Sequence, residues 1–439
     1  MSPLWPPRGG RGVVGESVLT TTATGIGRAH GVLQSDGVPV DRIAADVGTP
    51  AYVYSAGAIR AQYAAMDDAL AGVPHRVHYS MKANGNLAIL RLLRSLGAGV
   101  DIVSVGELYR ARAAGFSGRD VVFSGVGKTE ADLAVAAEEE LLFVNIESPR
   151  EVDVLDRLGR EAGKPIPIGI RVNPQVAVET PHPYTRTGEQ GARFGIPYDQ
   201  VVPLVARIHA LRGVRLVSVG MHIGSQVTDS GPYARGAERL VALTQQVREG
   251  LEYLDMGGGL AVSYGDGPSG DVRAFGEILT GAAKTLGLRL IIEPGRYMVA
   301  NAGLLLTRVI DRKRSAHKTY VITDAGMTEL LRPSHYHAYH RIEAVAPKAT
   351  KSLVDICGPV CESGDFLALD RELDDVGPGD LLAVYSVGAY GYVMASNYNA
   401  RRRPPEVMTD AGRFAVVRQR ETDDDLVRHE VGPPEWRSA

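Results

Sequence analysis

The chain has 439 residues, more than one hydrophobic core usually supports, so a larger and a smaller domain are expected. Hydrophobic residues make up 44% and charged residues 23%, which is typical of a globular protein and excludes a disordered or fibrous class. The net charge of -3 argues against nucleic acid and anionic lipid as partners and favours a small-molecule substrate.

Cysteine content and hydropathy indicate the cellular location to expect. Cys357 and Cys361 are the two cysteines of the chain, too few for a disulfide framework or a four-cysteine zinc site, and no metal is expected. No apolar run approaches the roughly 20 residues that span a bilayer. No signal-type apolar segment follows the first ten residues. We therefore expect a cytoplasmic protein that does not enter a membrane.

From about Thr49 to Ala300, short β-branched apolar runs alternate with stretches whose apolar residues recur at helical spacing. This alternation predicts a βα repeat, interrupted by a long loop over 173–196 that is rich in Gly, Pro, Thr and His. Eight strands are predicted, namely Val77–Ser80, Gly99–Val103, Val121–Ser124, Leu141–Ile146, Ile166–Val172, Arg215–His222, Leu251–Met256 and Arg289–Glu293. The predicted helices include Leu87–Leu96, Gly106–Ala114, Glu130–Glu139, Pro149–Ala162, Arg235–Glu249 and Phe275–Leu286.

The predicted strands are almost continuously apolar, which indicates a parallel sheet that is buried on both faces. A doubly wound open sheet and a closed (β/α)8 barrel both satisfy this pattern. Polar side chains such as Lys82, Ser124, Asn173, His222 and Glu293 follow the carboxyl ends of strands. Because the active sites of (β/α)8 barrels are built from these loops, a barrel is the favoured fold.

After Ala300 the pattern changes to alternating strands without helices, which predicts a mainly β domain. The segment Gly31–Ile43 is also strand-like, so strands near the amino terminus are expected to join this domain. The predicted organisation is an extension with added strands over 1–47, a barrel over 48–300 and a β domain over 301–439. The β-domain strands are predicted at Leu304–Ile310, Lys318–Thr323, Arg341–Ala346, Leu381–Ser386 and Phe414–Arg418.

Lys82 lies in the segment YSMKAN, at the end of the first predicted barrel strand. A lysine there points into the barrel mouth, where partial desolvation would lower its pKa and make the neutral amine available for Schiff-base chemistry. The alternative, a solvated loop lysine, is equally compatible with its position.

Three further motifs follow later strands. The segment HIGSQ begins at His222, whose imidazole could stack on a flat ring, although a buried core histidine or a metal ligand would look the same. Gly257 to Gly259 would let backbone amides approach a phosphate, or simply form a tight turn. Glu293 begins EPGR after the eighth strand, and a buried carboxylate there could keep a pyridine nitrogen protonated.

Seven segments together, in this order and spacing, resemble the diaminopimelate decarboxylases: YSMKAN, HIGSQ, DMGGG, EPGRYMVANAG, RPSHYHAYH, CESGD and GAYGYVMASNYN. The resemblance runs from about Gly31 to Arg420. It implies a (β/α)8 barrel followed by a β domain, pyridoxal 5'-phosphate (PLP) as cofactor, and decarboxylation of meso-diaminopimelate to lysine. Ornithine and arginine decarboxylases share this class of fold.

The resemblance also implies roles for individual residues. Lys82 would form the Schiff base, and Cys361 would donate the proton to the product. The family completes its site across a homodimer interface, so Cys361 and Glu362 would come from the partner subunit. The cofactor site would consist of Lys82, His222, Ser225, Gly258, Gly259, Glu293, Pro294, Gly295, Arg296 and Tyr390. The substrate would be held by Arg296, Arg332, Tyr336, Glu362 and Tyr390.

A physical argument supports the substrate. Diaminopimelate carries a second amino-acid head, and Arg296 and Arg332 could bind its carboxylate while Glu362 accepts from its ammonium. Simple diamino acids would leave these buried charges unpaired. The alternatives are a related decarboxylase acting on ornithine, arginine, carboxynorspermidine or a carrier-bound amino acid, a non-catalytic PLP-binding protein, and a racemase of the same fold.

Overall fold

The computed structural model describes residues 25–180, 182, 187–189, 191–265, 267–433 and 436. Its amino-terminal part is a small antiparallel sheet of three strands followed by a helix. The strands are β1 (Ile26–Ala29), β2 (Val32–Ser35) and β3 (Val38–Pro39), and the helix is α1 (Val40–Val47).

This small sheet is separate from the larger sheets, but its apolar side chains pack on the β domain. The prediction of a strand-like segment up to Ile43 was wrong from Val40 onward. The apolar residues of this segment recur at the spacing of one helix face, namely Val40, Ile43, Ala44 and Val47. The first three of them are buried. The helical period therefore prevails over the β-branched composition of the segment.

The barrel is confirmed. Eight parallel strands close on themselves because the first pairs with the eighth and the fourth pairs with the fifth. Each predicted barrel strand is present, with ends that shift by one or two residues. The strands are β5 (His75–Ser80), β6 (Gly99–Ile102), β7 (Val121–Phe123), β8 (Phe143–Ile146), β9 (Ile166–Asn173), β11 (Val214–Met221), β12 (Tyr253–Asp255) and β13 (Arg289–Ile292), with a short β10 (Ile196–Pro197) beside β9.

Helices surround the barrel, and several begin at residues that cap their free backbone N–H groups. Thr129 and Asp132 form a capping box at one helix, and Ser148 followed by Pro149 begins the next. None of the helices in the described part of the chain is long and apolar enough to cross a membrane. The helices are α2 (Ala56–Leu70), α3 (Leu87–Ser95), α4 (Val105–Ala113), α5 (Glu130–Glu138), α6 (Pro149–Glu161), α7 (Val201–His209), α8 (Gly231–Gln246), α9 (Val272–Leu286) and α10 (Arg296–Val299).

The β domain is built around one long strand, Gly303–Arg314, which pairs with three others. One of these, Ala51–Ser55, precedes the barrel in sequence, so the chain passes through the β domain before it forms the barrel. The domain contains β4 (Ala51–Ser55), β14 (Gly303–Arg314), β15 (Thr319–Thr323), β16 (Ile342–Ala344), β17 (Lys351–Cys357), β18 (Phe366–Asp374), β19 (Leu381–Tyr385), β20 (Glu406–Asp410) and β21 (Arg413–Arg418), with short helices α11 (Arg332–Tyr336) and α12 (Asp423–Val427).

Backbone and side-chain hydrogen bonds join the two parts close to the first barrel strand. The Tyr390 N–H donates to the Ala83 carbonyl at 2.8 Å, and the Asn84 amide donates to the Gly388 carbonyl at 3.0 Å. The loop that carries Tyr390 is therefore fixed to the turn that carries Lys82. This contact places β-domain side chains at the mouth of the barrel.

Candidate active site

A cavity of about 840 Å³ opens at the carboxyl ends of the barrel strands, where the sequence places its polar residues. Side chains from the barrel loops and from the β domain line it together. The predicted site residues that line it are Lys82, His222, Ser225, Gly259, Glu293, Pro294, Gly295, Arg296, Arg332, Tyr336 and Tyr390.

Lys82 lies in the turn Met81–Ala83 that ends β5, and its ammonium is 3.3 Å from Asp101 Oδ2. Ser80 donates to the same oxygen at 2.6 Å, and Asp101 is fully buried. Burial disfavours the charged form of Lys82, but Asp101, followed by Tyr390 and Glu293, outweighs it and raises the pKa of Lys82 above its usual value. The expected lowered pKa was therefore wrong, because a buried carboxylate on the neighbouring strand stabilises the ammonium.

Glu293 lies in a buried carboxylate cluster at the base of the cavity. Ser124 donates to Glu293 Oε1 at 3.2 Å, and Asn145 donates to Asp255 Oδ2 at 2.9 Å. Burial, together with the charges of Asp101 and Asp255, raises the pKa of Glu293 well above its usual range. A cationic ring nitrogen bound beside Glu293 would relieve this repulsion.

His222 lies directly after β11 and is held by the glycine turn. Its Nδ1 accepts the Gly258 N–H at 3.1 Å, so the ring hydrogen is on Nε2. Burial and the nearby charges of Arg171 and Lys82 hold the pKa of His222 well below its usual value. The structure therefore presents a neutral, oriented imidazole to the cavity.

The glycine turn after β12 leaves no room for side chains. A Cβ on Gly258 would clash with the Glu293 carbonyl, and one on Gly259 would clash with the Gly224 carbonyl and the Tyr233 hydroxyl. Gly259 also has a φ of +105°, which other residues rarely adopt. Gly259 also lines the cavity, so this turn brings the backbone close to a ligand bound there.

Two buried arginines face the same cavity. Arg296 donates to Ser225 Oγ at 3.2 Å and to the Tyr264 hydroxyl, and its Nε has no hydrogen-bond partner. Arg332 stacks over the Tyr264 ring, with its guanidinium carbon 4.7 Å from the ring centroid. Among the residues that the structure describes, no carboxylate forms an ion pair with either arginine. Buried cations without an anionic partner are costly, so this cavity is suited to a ligand with several anionic groups.

Cys361 and Glu362 do not line the cavity of their own chain. Both are exposed, and the Cys361 N–H donates to Asn399 Oδ1 at 3.3 Å in the β domain. Their contribution to the site from a partner subunit stays a prediction.

The sequence analysis missed several buried or partly buried polar residues, although their positions within the barrel strands are a signal for them. Asp101, Asn145, Arg171 and Asp255 each lie inside an otherwise apolar barrel strand. A polar residue in a strand that is buried on both faces needs a buried partner or a ligand, so each was a candidate site residue.

A barrel mouth with a lysine after the first strand, a buried glutamate, a glycine turn and two buried arginines defines a PLP-dependent enzyme of the barrel decarboxylase class. The family described as pyridoxal-dependent decarboxylase, pyridoxal binding domain, matches residues 56–300. The diaminopimelate decarboxylase of Pseudomonas aeruginosa is 47% identical over 90% of this chain and 95% of its own length. The chain belongs to the diaminopimelate decarboxylase family.

Solved structures agree with this assignment. The crystal structure of diaminopimelate decarboxylase from Helicobacter pylori complexed with L-lysine has a TM-score of 0.86 and 36% identity, and the match covers 89% of this chain and 99% of that one. A crystal structure from Aquifex aeolicus has a TM-score of 0.87 and 37% identity, covering 94% of this chain and 100% of that one. The similarity to these structures therefore includes both the barrel and the β domain.

Proposed function

We propose that the protein decarboxylates meso-2,6-diaminopimelate to L-lysine and CO2 with PLP as cofactor, the last step of lysine biosynthesis. The observation that carries the substrate assignment is the pair of buried arginines in one cavity, with which no carboxylate of the described residues forms an ion pair. A phosphate near Arg296 and a distal substrate carboxylate near Arg332 would satisfy both guanidinium groups.

The described residues fit PLP. Glu293, whose pKa is raised by burial and neighbouring carboxylates, suits a protonated ring nitrogen, and the neutral His222 suits a ring face. The crowded turn at Gly258 and Gly259 suits the phosphate, and the unpaired Nε of Arg296 supplies a positive charge there. We assign the phosphate to Ser225, Gly258, Gly259, Gly295, Arg296 and Tyr390.

When bound, PLP supplies an aldehyde that links covalently to amines and a ring that accepts the electron pair left by CO2. Lys82 would hold the cofactor through its amine, and Asp101 would hold the Lys82 ammonium whenever that link is absent. Arg332 and Tyr336 orient the distal amino-acid head. The bond between the α-carbon and the carboxylate breaks, and a proton returns to that carbon.

The proton donor and the dimer belong to the same proposal. We assign the donation of the proton to the α-carbon to Cys361 of the partner subunit or to Lys82. We assign the binding of the distal substrate ammonium to the partner's Glu362. This requires a homodimer in which each β domain covers the barrel mouth of the other chain. The exposure of Cys361 and Glu362, outside the cavity of their own chain, supports this arrangement. The cytoplasmic location expected from composition also stays a prediction.

Product analysis tests the proposed reaction. Purified protein with PLP and meso-diaminopimelate should release equal amounts of CO2 and L-lysine. L-ornithine and L-lysine should be poor substrates, because neither carries a distal carboxylate for Arg332. Equal efficiency on ornithine or lysine would overturn the substrate assignment and leave the decarboxylase class intact. A racemised substrate without CO2 release would overturn both.

Arg332→Ala should lower kcat/KM for meso-diaminopimelate by roughly 30-fold or more. The reason is that removing one partner of a buried charge pair costs on the order of 2–5 kcal/mol. Arg332→Lys should recover little of this loss, since an ammonium cannot bind a carboxylate through two parallel N–H groups.

Cofactor absorbance should be unchanged in both Arg332 variants, because we place this residue at the substrate and not at the ring or phosphate. Arg314→Ala, at an exposed arginine of the β domain, is the matched control and should behave as wild type. Wild-type kcat/KM in Arg332→Ala would contradict the proposed contact.

A further inference from the structure

His340 is a buried histidine next to Arg332 that the proposed reaction leaves without a role. It lies between α11 and β16, and its ring is fully buried. Its Nε2 is 2.8 Å from Arg332 Nη1, and its Nδ1 is 2.9 Å from the Tyr385 carbonyl oxygen. The ring thus bridges the short helix that carries Arg332 and strand β19.

The two partners fix the protonation of the ring. A carbonyl oxygen can only accept, so Nδ1 of His340 carries the hydrogen. A guanidinium can only donate, so Nε2 of His340 presents its lone pair to Arg332. Burial, and then the charge of Arg332, hold the pKa of His340 well below its usual value, which agrees with a neutral ring.

These contacts orient the guanidinium. His340 accepts from Nη1 of the guanidinium, and the guanidinium carbon lies 4.7 Å from the centroid of the Tyr264 ring. The Tyr264 ring in turn meets the His340 ring edge-on, at 5.1 Å between centroids and 83° between planes. A guanidinium has five N–H donors and His340 accepts from one of them, so a carboxylate in the cavity can bind through others.

We propose that His340 is a positioning residue that makes the site selective for ligands with a distal carboxylate, because it fixes the orientation of Arg332. This inference rests on the proposed function and extends it to a residue that does not touch the substrate. The ligand class is an α-amino acid with a second amine at its far end. L-lysine keeps the distal amino-acid head of the substrate, whereas 1,5-diaminopentane lacks the carboxylate.

Equilibrium binding of these two ligands tests the inference. We would titrate L-lysine and 1,5-diaminopentane into PLP-loaded protein by calorimetry, for wild type and His340→Leu. L-lysine should bind about tenfold or more weakly to the variant, since a buried donor of Arg332 loses its acceptor. Affinity for 1,5-diaminopentane should change less than about twofold, because that ligand makes no contact with Arg332. KM for meso-diaminopimelate should rise more than kcat falls.

Two further variants separate positioning from general damage. His340→Gln retains an acceptor oxygen for Arg332 and should recover part of the L-lysine affinity. His78→Leu removes another fully buried histidine, whose ring nitrogens have no hydrogen-bond partner, and should leave both affinities unchanged. Cofactor absorbance and melting temperature report folding in each case. If His340→Leu does not fold, His340→Gln compared with wild type carries the test.

The possible failures are distinct. Wild-type discrimination between the two ligands in a folded His340 variant would overturn the inference alone. An equal loss of affinity for both ligands would show that His340 has a structural role only, and this result would also overturn the inference. If wild type itself fails to prefer L-lysine over 1,5-diaminopentane, the proposed recognition of the distal head is wrong, and the role of His340 falls with it.

Discussion

Replacing Lys82 by alanine should remove the covalent attachment of PLP and lower decarboxylation by at least about 10²-fold and up to roughly 10⁴-fold, the range for a lost acid–base group. Lys82, in the YSMKAN segment, lines the cavity, and its amine lies beside Asp101. Borohydride reduction followed by peptide mapping should place the modified lysine at Lys82 in wild type and find no modified lysine in the variant.

Two controls sharpen this experiment. Lys82→Arg keeps a cation beside Asp101 but cannot form the link, so it should lose activity as alanine does. Lys284→Ala, at an exposed lysine of α9, should keep both the link and the activity. A reduced adduct at any lysine other than Lys82 would show that the assignment is wrong.

Mixing two inactive variants should restore activity if the site is shared between subunits. Lys82→Ala lacks the cofactor lysine, and Cys361→Ala lacks the expected proton donor. In a mixed dimer, one site combines both defects and the other has neither. With random exchange of equal amounts, half of the dimers are mixed and half of their sites are intact, so roughly a quarter of wild-type activity should return.

The other cysteine provides a matched control. Cys357→Ala changes a partly buried thiol in strand β17 and should stay active without mixing. Subunit exchange must be shown separately, for example with two affinity tags. No recovery despite proven exchange would mean that each site is built from a single chain, and the shared-site proposal would fail.

Much of the fold could be read from the sequence because its signals are local. Apolar strands in alternation with helical spacing follow from burial on both faces of a parallel sheet, and all eight barrel strands appear where this pattern predicts them. Strands β4 and β20 of the β domain were not predicted, and neither were β17 and β18. Register shifts interrupt the pairing of β17 with β18, and Leu353 and Leu369 are exposed, so neither strand shows a clean alternation of exposed polar and buried apolar side chains.

The grouping of the loop residues in one site could also be predicted from the sequence, because the carboxyl ends of parallel strands all lie at the same edge of the sheet. Lys82, His222 and Glu293 meet in one cavity for this reason alone. The carboxylate cluster could not be predicted from the sequence in this way. Asp101 and Asp255 lie 154 residues apart in sequence, and only barrel closure brings both charges close enough to raise the pKa of Glu293.

The sequence by itself determined the class of fold, the loops that carry the chemistry and the family resemblance, because each depends on residue type and local spacing. Tertiary structure decided the charge state of Lys82 and the orientation of Arg332. Both depend on groups from distant strands: Asp101 holds Lys82 as an ammonium, and His340 with Tyr264 fixes the guanidinium. Electrostatic energy varies with distance and burial, so these properties appear only once the strands have been assembled.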